Sequence, residues 1–199
     1  MPTPGRFLPF RIGFVTGVTP DKWARTWRQR RPADPLELVP LEPRLAETEL
    51  RSGDVAMALV RLPIDRDGVR CIPLYREVPV VVVAREHVVS AYDEIELADL
   101  AGEQFVLGPP AGLTPDVEQL TFSSMSVRDA IEVAASGSGV VVLPMSVARQ
   151  HHRKDVVHRR VSGVPETEIG LAWLEDRDDD QVQAFIGIVR GRTARSSRA

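Results

Sequence analysis

Apolar and polar positions along the chain switch repeatedly between a period near two and a period near 3.6, the signature of alternating strands and helices. Residues 10–15, FRIGFV, form a short β-rich run closed by the turn-prone TGVTP. PDKWARTWRQRR then carries Trp23, Ala24 and Trp27 at helical spacing. Thr19 is placed to cap that helix, Pro20 to open it, and Asp21 and the arginines at 28, 30 and 31 to complement its dipole before Pro32 stops it. LELVPL (36–41) alternates as a strand. PRLAETELRSG follows as a helix with Leu45 and Leu50 inward and Gly53 as a left-handed cap. VAMALVRL (55–62) is an apolar run suited to a strand covered on both faces of a parallel sheet. The order β-α-β-α-β predicts an α/β unit with parallel strands and right-handed crossovers.

The pattern then changes. GVRCIPLY and the valine-rich EVPVVVVA read as two strands, and DEIELADLAG as an acid-capped helical turn around Leu97 and Leu100. QFVLGPP reads as a further buried strand with a breaker behind it, and LTFSSM (120–125) as another strand. SVRDAIEVAASG is a helix capped by Ser126, with Val127, Ala130, Ile131 and Ala134 inward. GVVVLPMS is a strand, VARQHHRKD a short helix, and VVHRRVSG and EIGLAWLE two more strands. DDDQVQAFIGIVRGR closes the series as a helix with acids at its start and arginines at its end.

Two stretches resemble active-site motifs and fail on context. Gly137-Ser138-Gly139 follows a helix and precedes a strand, the reverse of a phosphate-cradling loop, so the glycines read as a helix stop and a tight turn. His151 and His152 are adjacent on a helical segment, hence about 100° apart, and share no ligand face. No metal site is expected. No G-x-S-x-G nucleophile elbow occurs, Ser123, Ser124 and Ser126 cluster where serine caps a helix, and the acid pairs sit in polar turns. No catalytic set and no cofactor are expected.

Composition narrows the classes further. The 199 residues suffice for one large domain or two small lobes, and a net charge of -3 gives no global attraction to nucleic acid or to an acidic membrane. The single cysteine, Cys71, excludes an internal disulfide and reads as a buried structural thiol. No stretch is long and apolar enough to span a bilayer, and the first residues lack a signal-peptide pattern, so a cytoplasmic location is expected. What recurs is strands ending in small or polar loops, where open parallel sheets bind ligands. FVTGVTPD sends a strand into a helix start and leaves hydroxyls and N–H groups suited to a carboxylate. Arg61, behind an apolar strand, can pair with such an anion. The plainer alternatives stand beside these: Thr19 only caps its helix, and Arg61 only extends along the surface.

In this order, RIGFVTGVTP, LRSGDVAMALVRLP, IPLYREVPVVVVAREHVV, ELADLAGEQFVL, VRDAIEVAASGSGVVVLPMS and IGLAWLED resemble the effector-binding domain of LysR-type transcriptional regulators, over residues 10–190. The chain is also similar to stand-alone LysR-like proteins of actinobacteria. The resemblance implies an α/β, type 2 periplasmic-binding-protein-like fold with two α/β lobes joined by two crossing strands. Lobe I would be 10–73 plus 163–190, lobe II 74–162, residues 1–9 an N-terminal extension, and 191–199 a basic, disordered tail. It further implies a small, anionic effector between the lobes, touching Thr16, Gly17, Val18, Thr19, Arg61, Gly108, Pro109, Ser124 and Ser126, and a homodimer. Three departures qualify the likeness. A helix-turn-helix does not precede the first strand, Ala56 stands where the family carries an acid, and the span between FVL and SVRDAIEVAA is short enough to have lost a helix.

The expected function is a cytoplasmic sensing domain acting in transcriptional regulation through a dimer or partner, with DNA read by a missing or separate domain. The alternatives are an accessory or nucleic-acid-interacting factor using the arginines at 190, 192, 195 and 198, a solute-binding protein, and an enzyme on the same fold. Arg190, Arg192, Arg195 and Arg198 stand without an acid among them and suit phosphate contact.

Overall fold

In the computed structural model the described residues are 9–191, and they divide into two compact units. Unit 1 comprises the chain up to Tyr75 and again from Glu168; unit 2 is Arg76–Thr167. The expected lobe boundaries, after 73 and after 162, fall just before these crossing points. Arg192, Arg195 and Arg198 lie outside the described residues.

Unit 1 holds β1 (Phe10–Val15), α1 (Asp21–Arg30), β2 (Leu36–Leu41), α2 (Ala46–Ser52), β3 (Met57–Leu62) and, after the excursion through unit 2, most of β9 (Thr167–Leu174) and all of α5 (Asp180–Val189). The sheet order is β2-β1-β3-β9-β4, with β4 spanning Val69–Glu77. β1 runs parallel to both β2 and β3, as the β-α-β-α-β order predicts, but β9 lies antiparallel to β3, with Met57 opposite Trp173. The sheet is therefore mixed, because the last strand is contributed by the returning chain. Met57, Ala58, Leu59 and Val60 are all buried, as expected of a strand covered on both faces.

The core of unit 1 centres on three rings. Phe10 stacks on Trp27 at 4.9 Å between centroids, and Phe185 of α5 meets them at 6.2 and 6.0 Å. Trp27 is fully buried, its Nε1 donates to the Asp34 carbonyl at 3.0 Å, and the Arg31 guanidinium lies 5.3 Å over its ring. Cys71 is half-buried and burial pushes its thiol up, partly opposed by Arg66, which suits an inert side chain.

Two helix starts differ from expectation. Thr19 does not cap α1: Pro20 occupies the N-cap position in αR geometry, and its carbonyl accepts from the N–H groups of Trp23 and Ala24. Leu45 is 44% exposed instead of inward: it occupies the N-cap position, and α2 begins only at Ala46. The inner face of α2 is thus Ala46 and Leu50, and Gly53 ends it at φ +81°.

Unit 2 holds β5 (Pro79–Ala84), β6 (Glu94–Glu96), α3 (Val127–Ala135), β7 (Val141–Pro144), α4 (Met145–Gln150) and β8 (Val156–Ser162), with sheet order β6-β8-β5-β7. The valine run of β5 serves both faces: Val80 and Val82 enter the core under α3 and α4, and Val81 and Val83 enter the core under the turns at 88–100. Each such valine is worth roughly 1.5–3 kcal/mol of burial. Glu77, on the last position of β4, is the one buried charged side chain among the described residues. It accepts from the Ser146 hydroxyl at the start of α4 and from Thr167 Oγ1 at 3.0 Å, joining the points where the chain enters and leaves the unit.

Gly137 and Gly139 lie between α3 and β7, and Gly137 takes φ +78°. A Cβ at Gly139 would stand 2.6 Å from the Gln104 carbonyl oxygen, so glycine is required there by close backbone approach. Both are turn residues, as their order in the chain indicates.

Two outcomes follow. Trp27→Ala should lower unfolding free energy by about 3–5 kcal/mol in denaturant titration, by removing the stacked ring and its hydrogen bond. His158 is pushed below the ordinary histidine value by burial and by Arg149, Arg159 and His152. The unfolded chain therefore binds the proton more readily, and stability should decline as pH falls below about 6.5, toward the depressed folded value. His158→Gln should flatten that decline in melting curves recorded against pH.

Candidate functional site

The expected site residues fall into two groups, one in each unit. In unit 1, β1 ends in a turn at Thr16-Gly17, with Gly17 at φ +91° and the Val18 N–H donating to the Val15 carbonyl at 3.1 Å. Arg61, on β3, donates from Nη2 to the Thr16 carbonyl at 2.7 Å, so the structure does bring Arg61 to the Thr16 loop, forty-five positions away in sequence. Thr19 is exposed, whereas Val18 is 3% exposed and belongs to the unit 1 core. The Val18 side chain is thus a packing group, and its N–H is already engaged by Val15.

In unit 2 the stretch 104–126 carries neither of the strands expected over QFVLGPP and LTFSSM, and no helix until α3. Phe105 makes a single parallel bridge to Val140, with the Val106 N–H donating to the Val140 carbonyl at 3.0 Å and the Val140 N–H to the Gln104 carbonyl at 2.7 Å. The backbone on the other side is met by side chains. Gln104 Nε2 donates to the Glu118 carbonyl at 2.9 Å and its Oε1 accepts from the Leu120 N–H at 2.8 Å. Reciprocally, Gln119 Nε2 donates to the Glu103 carbonyl at 2.9 Å and its Oε1 accepts from the Phe105 N–H at 2.9 Å. Two side-chain amides thereby imitate the peptide groups of a strand ladder, satisfying backbone that a short connection leaves without one.

That clasp holds two strips of chain on either side of a cleft of about 440 Å³, within the range of small-molecule sites. Gly108, Pro109 and Ser124, all expected at the site, line it together with Leu107, Thr121, Phe122, Ser123 and Met125. No ionisable side chain is in this lining. Gly108 sits at φ +86°, turning the chain after Leu107. Ser126 is committed elsewhere: its Oγ accepts from the Asp129 N–H at 3.2 Å and donates to Asp129 Oδ2 at 2.8 Å, a helix cap as expected.

A second unit 2 cleft, about 660 Å³, is lined by Glu94, Glu96, Asp99 and Glu103 beside Val88 and Tyr92. Four carboxylates there oppose an anion, so size alone does not make it the better candidate for the effector. Arg190 is exposed at the C-cap of α5. Among the described residues no group of three or more His, Cys, Asp or Glu side chains could hold a metal ion, and no helix is long and apolar enough to cross a membrane.

Two α/β units, connected by β4 and β9 and each carrying part of the expected ligand-contacting loops, define the class: effector-binding domains of transcriptional regulators, with a type 2 periplasmic-binding-protein-like fold. The chain belongs to the LysR substrate binding domain family, whose model matches residues 9–194. It is 28% identical over 200 residues to the Hca operon transcriptional activator HcaR of Escherichia coli (strain K12), covering 92% of this chain and 67% of that protein. Its fold is similar to that of the BenM effector binding domain with its effector benzoate, at a TM-score of 0.78, 19% identity and coverage of 96% and 94% of the two chains. It is similar also to the reduced OxyR regulatory domain from Pseudomonas aeruginosa, at a TM-score of 0.71, 22% identity and coverage of 92% and 95%.

The glutamine clasp went unforeseen; its signal, two glutamines on either side of a proline- and glycine-rich connection, is too common to single out. Gln119→Ala should leave the Phe105 N–H and Glu103 carbonyl unpaired, costing about 1–3 kcal/mol. Hydrogen exchange should accelerate at Phe105 well before it does in β5.

Proposed function

We propose that this chain is the sensing module of a LysR-type regulator, that it binds a small molecule carrying a carboxylate or comparable anion, and that it acts on transcription through a homodimer or through a separate DNA-reading domain, without catalysis. The observation that carries this reading is the cleft formed by residues 105–109 and 119–125, the right size for a small metabolite and lined by apolar surface, hydroxyls and no opposing charge. Gly108, Pro109 and Ser124 would contact the effector there, with Ser126 fixing the start of α3 behind them. In unit 1, Thr16, Gly17 and Thr19, above a Val18 anchored in the core, would present N–H and hydroxyl donors to an anion, and Arg61 a positive charge close to that loop. The relative HcaR is a transcriptional activator, which supports a regulatory role.

The direct test is thermal melting of the protein against a panel of small carboxylates, amino acids and aromatic acids. A ligand at one hundred times its Kd should stabilise the fold by roughly 2.7 kcal/mol. Arg61→Ala and Ser124→Ala should each weaken the stabilisation without lowering the melting temperature of the free protein by a comparable amount. A panel that produces no stabilisation, or a hit indifferent to both substitutions, contradicts the assignment.

A further inference from the structure

Eight of the twelve residues from Arg149 to Arg160 are arginine, lysine or histidine, and one, Asp155, is an acid. They form the end of α4, the turn after it and the first part of β8. The acid is already engaged. Arg153 holds it with two hydrogen bonds, Nε to Oδ1 at 3.0 Å and Nη2 to Oδ2 at 2.8 Å, and keeps its carboxyl down at about 2. The same guanidinium reaches Glu132 of α3 at 3.1 Å. Arg149, Lys154 and Arg160 are exposed, and none of them has an ion pair among the described residues. Glu94 stands in register with Arg160 on β6 and forms no ion pair with it.

His158 lies two positions before Arg160, on the same face of β8. Burial and then the charges of Arg149, Arg159 and His152 disfavour its protonation, while β5 presents only Val82 opposite it. A chain of net charge -3 has thus collected like charges at one place, and the ion-paired acids beside them are held by Arg153 and, for Glu132, by Arg128 as well at 3.8 Å. The exposed cations Arg149, Lys154 and Arg160 are thus open to an acidic group arriving from solution.

We propose that this face of unit 2, formed by Arg149, His152, His158 and Arg160, with Lys154 on the turn between α4 and β8, docks an acidic segment of a partner protein. Guanidinium groups pair with carboxylates in a planar fork, and imidazole and ammonium groups supply further donors. Nucleic acid fits less well. Strong phosphate-driven binding rests on many neutralised phosphates, and only three exposed permanent cations stand here. The proposal is independent of the effector cleft.

The test is fluorescence anisotropy with the full chain and three labelled probes of equal length: a glutamate-rich peptide, its glutamine counterpart and a single-stranded DNA oligonucleotide. The glutamate peptide should bind, and binding should weaken as salt rises. R149E/R160E should reduce its affinity by about tenfold or more, whereas R192Q/R195Q/R198Q in the C-terminal segment should change it by less than about twofold. Binding should tighten from pH about 8 to about 6, as an arriving carboxylate favours protonated His158, and H158Q should remove part of that dependence. Melting curves check that the variants fold; should R149E/R160E unfold, R149Q/R160Q is read instead with the same expected direction. Equal binding of the glutamine peptide, an affinity unaffected by the substitutions in the patch, a loss that follows the C-terminal variant, or tighter binding of the oligonucleotide would each overturn the proposal.

Discussion

The stacking of Phe10 on Trp27, with Phe185 against both rings, is the interaction on which unit 1 depends. The three side chains come from the first strand, the first helix and the last helix, so the core of this unit needs both the N-terminal and the C-terminal segments of the chain. The returning segment supplies β9, buried through Ile169, Leu171 and Ala172, and α5, whose Val182, Phe185 and Ile186 close the core. The ordering of the β1–α1 loop is tied to the same packing. Val18 is anchored in that core, and Arg61 draws the Thr16 carbonyl to β3, so the loop proposed to face an anion is held from two sides.

Unit 2 solves a different problem. Its connection between Gln104 and α3 carries no helix and no strand, and the backbone still needs partners. The side chains of Gln104 and Gln119 provide them in a reciprocal arrangement, and Gly139 permits the approach of the Gln104 carbonyl. The cleft is the space left between the two clasped strips. Its neutral lining follows from this construction, since the segment that forms it is apolar and hydroxyl-bearing from Thr121 to Met125. Glu77 adds a fixed point at the unit's entry and exit, where a buried carboxylate is held by hydroxyls of Ser146 and Thr167.

Much of this was legible because it rests on local pattern. FRIGFV, the valine run of β5 and the Ser126 cap announce themselves through periodicity and capping chemistry, and Gly137-Ser138-Gly139 is correctly read as a turn from its place between a helix and a strand. The misreadings share a cause: the deciding hydrogen bond came from an unexpected partner. Thr19 lost its capping role because Pro20 took the N-cap position and its carbonyl became the first helical acceptor, and Leu45, whose N–H bonds Glu42, sits at the N-cap of α2, outside its inner face. QFVLGPP and LTFSSM have strand-like composition, yet Phe105 makes only a single bridge, and the N–H groups of Phe105 and Leu120 bond glutamine side chains instead. Of the expected contact residues, Gly108, Pro109 and Ser124 meet in one cleft and Arg61 meets Thr16, while Ser126 serves its helix and Val18 the core. Glu77 gave no signal, because a single glutamate before a valine-rich strand does not reveal its burial.

The central claim is that the loops named here receive a small anionic effector. Hydrogen–deuterium exchange of the full chain, with and without a saturating small carboxylate that raises its melting temperature, tests this most directly. The account predicts slowed exchange in 105–109 and 119–126 and in 16–19, with 149–160 unchanged. Protection that is absent from both groups of loops, or confined to 149–160, would contradict it.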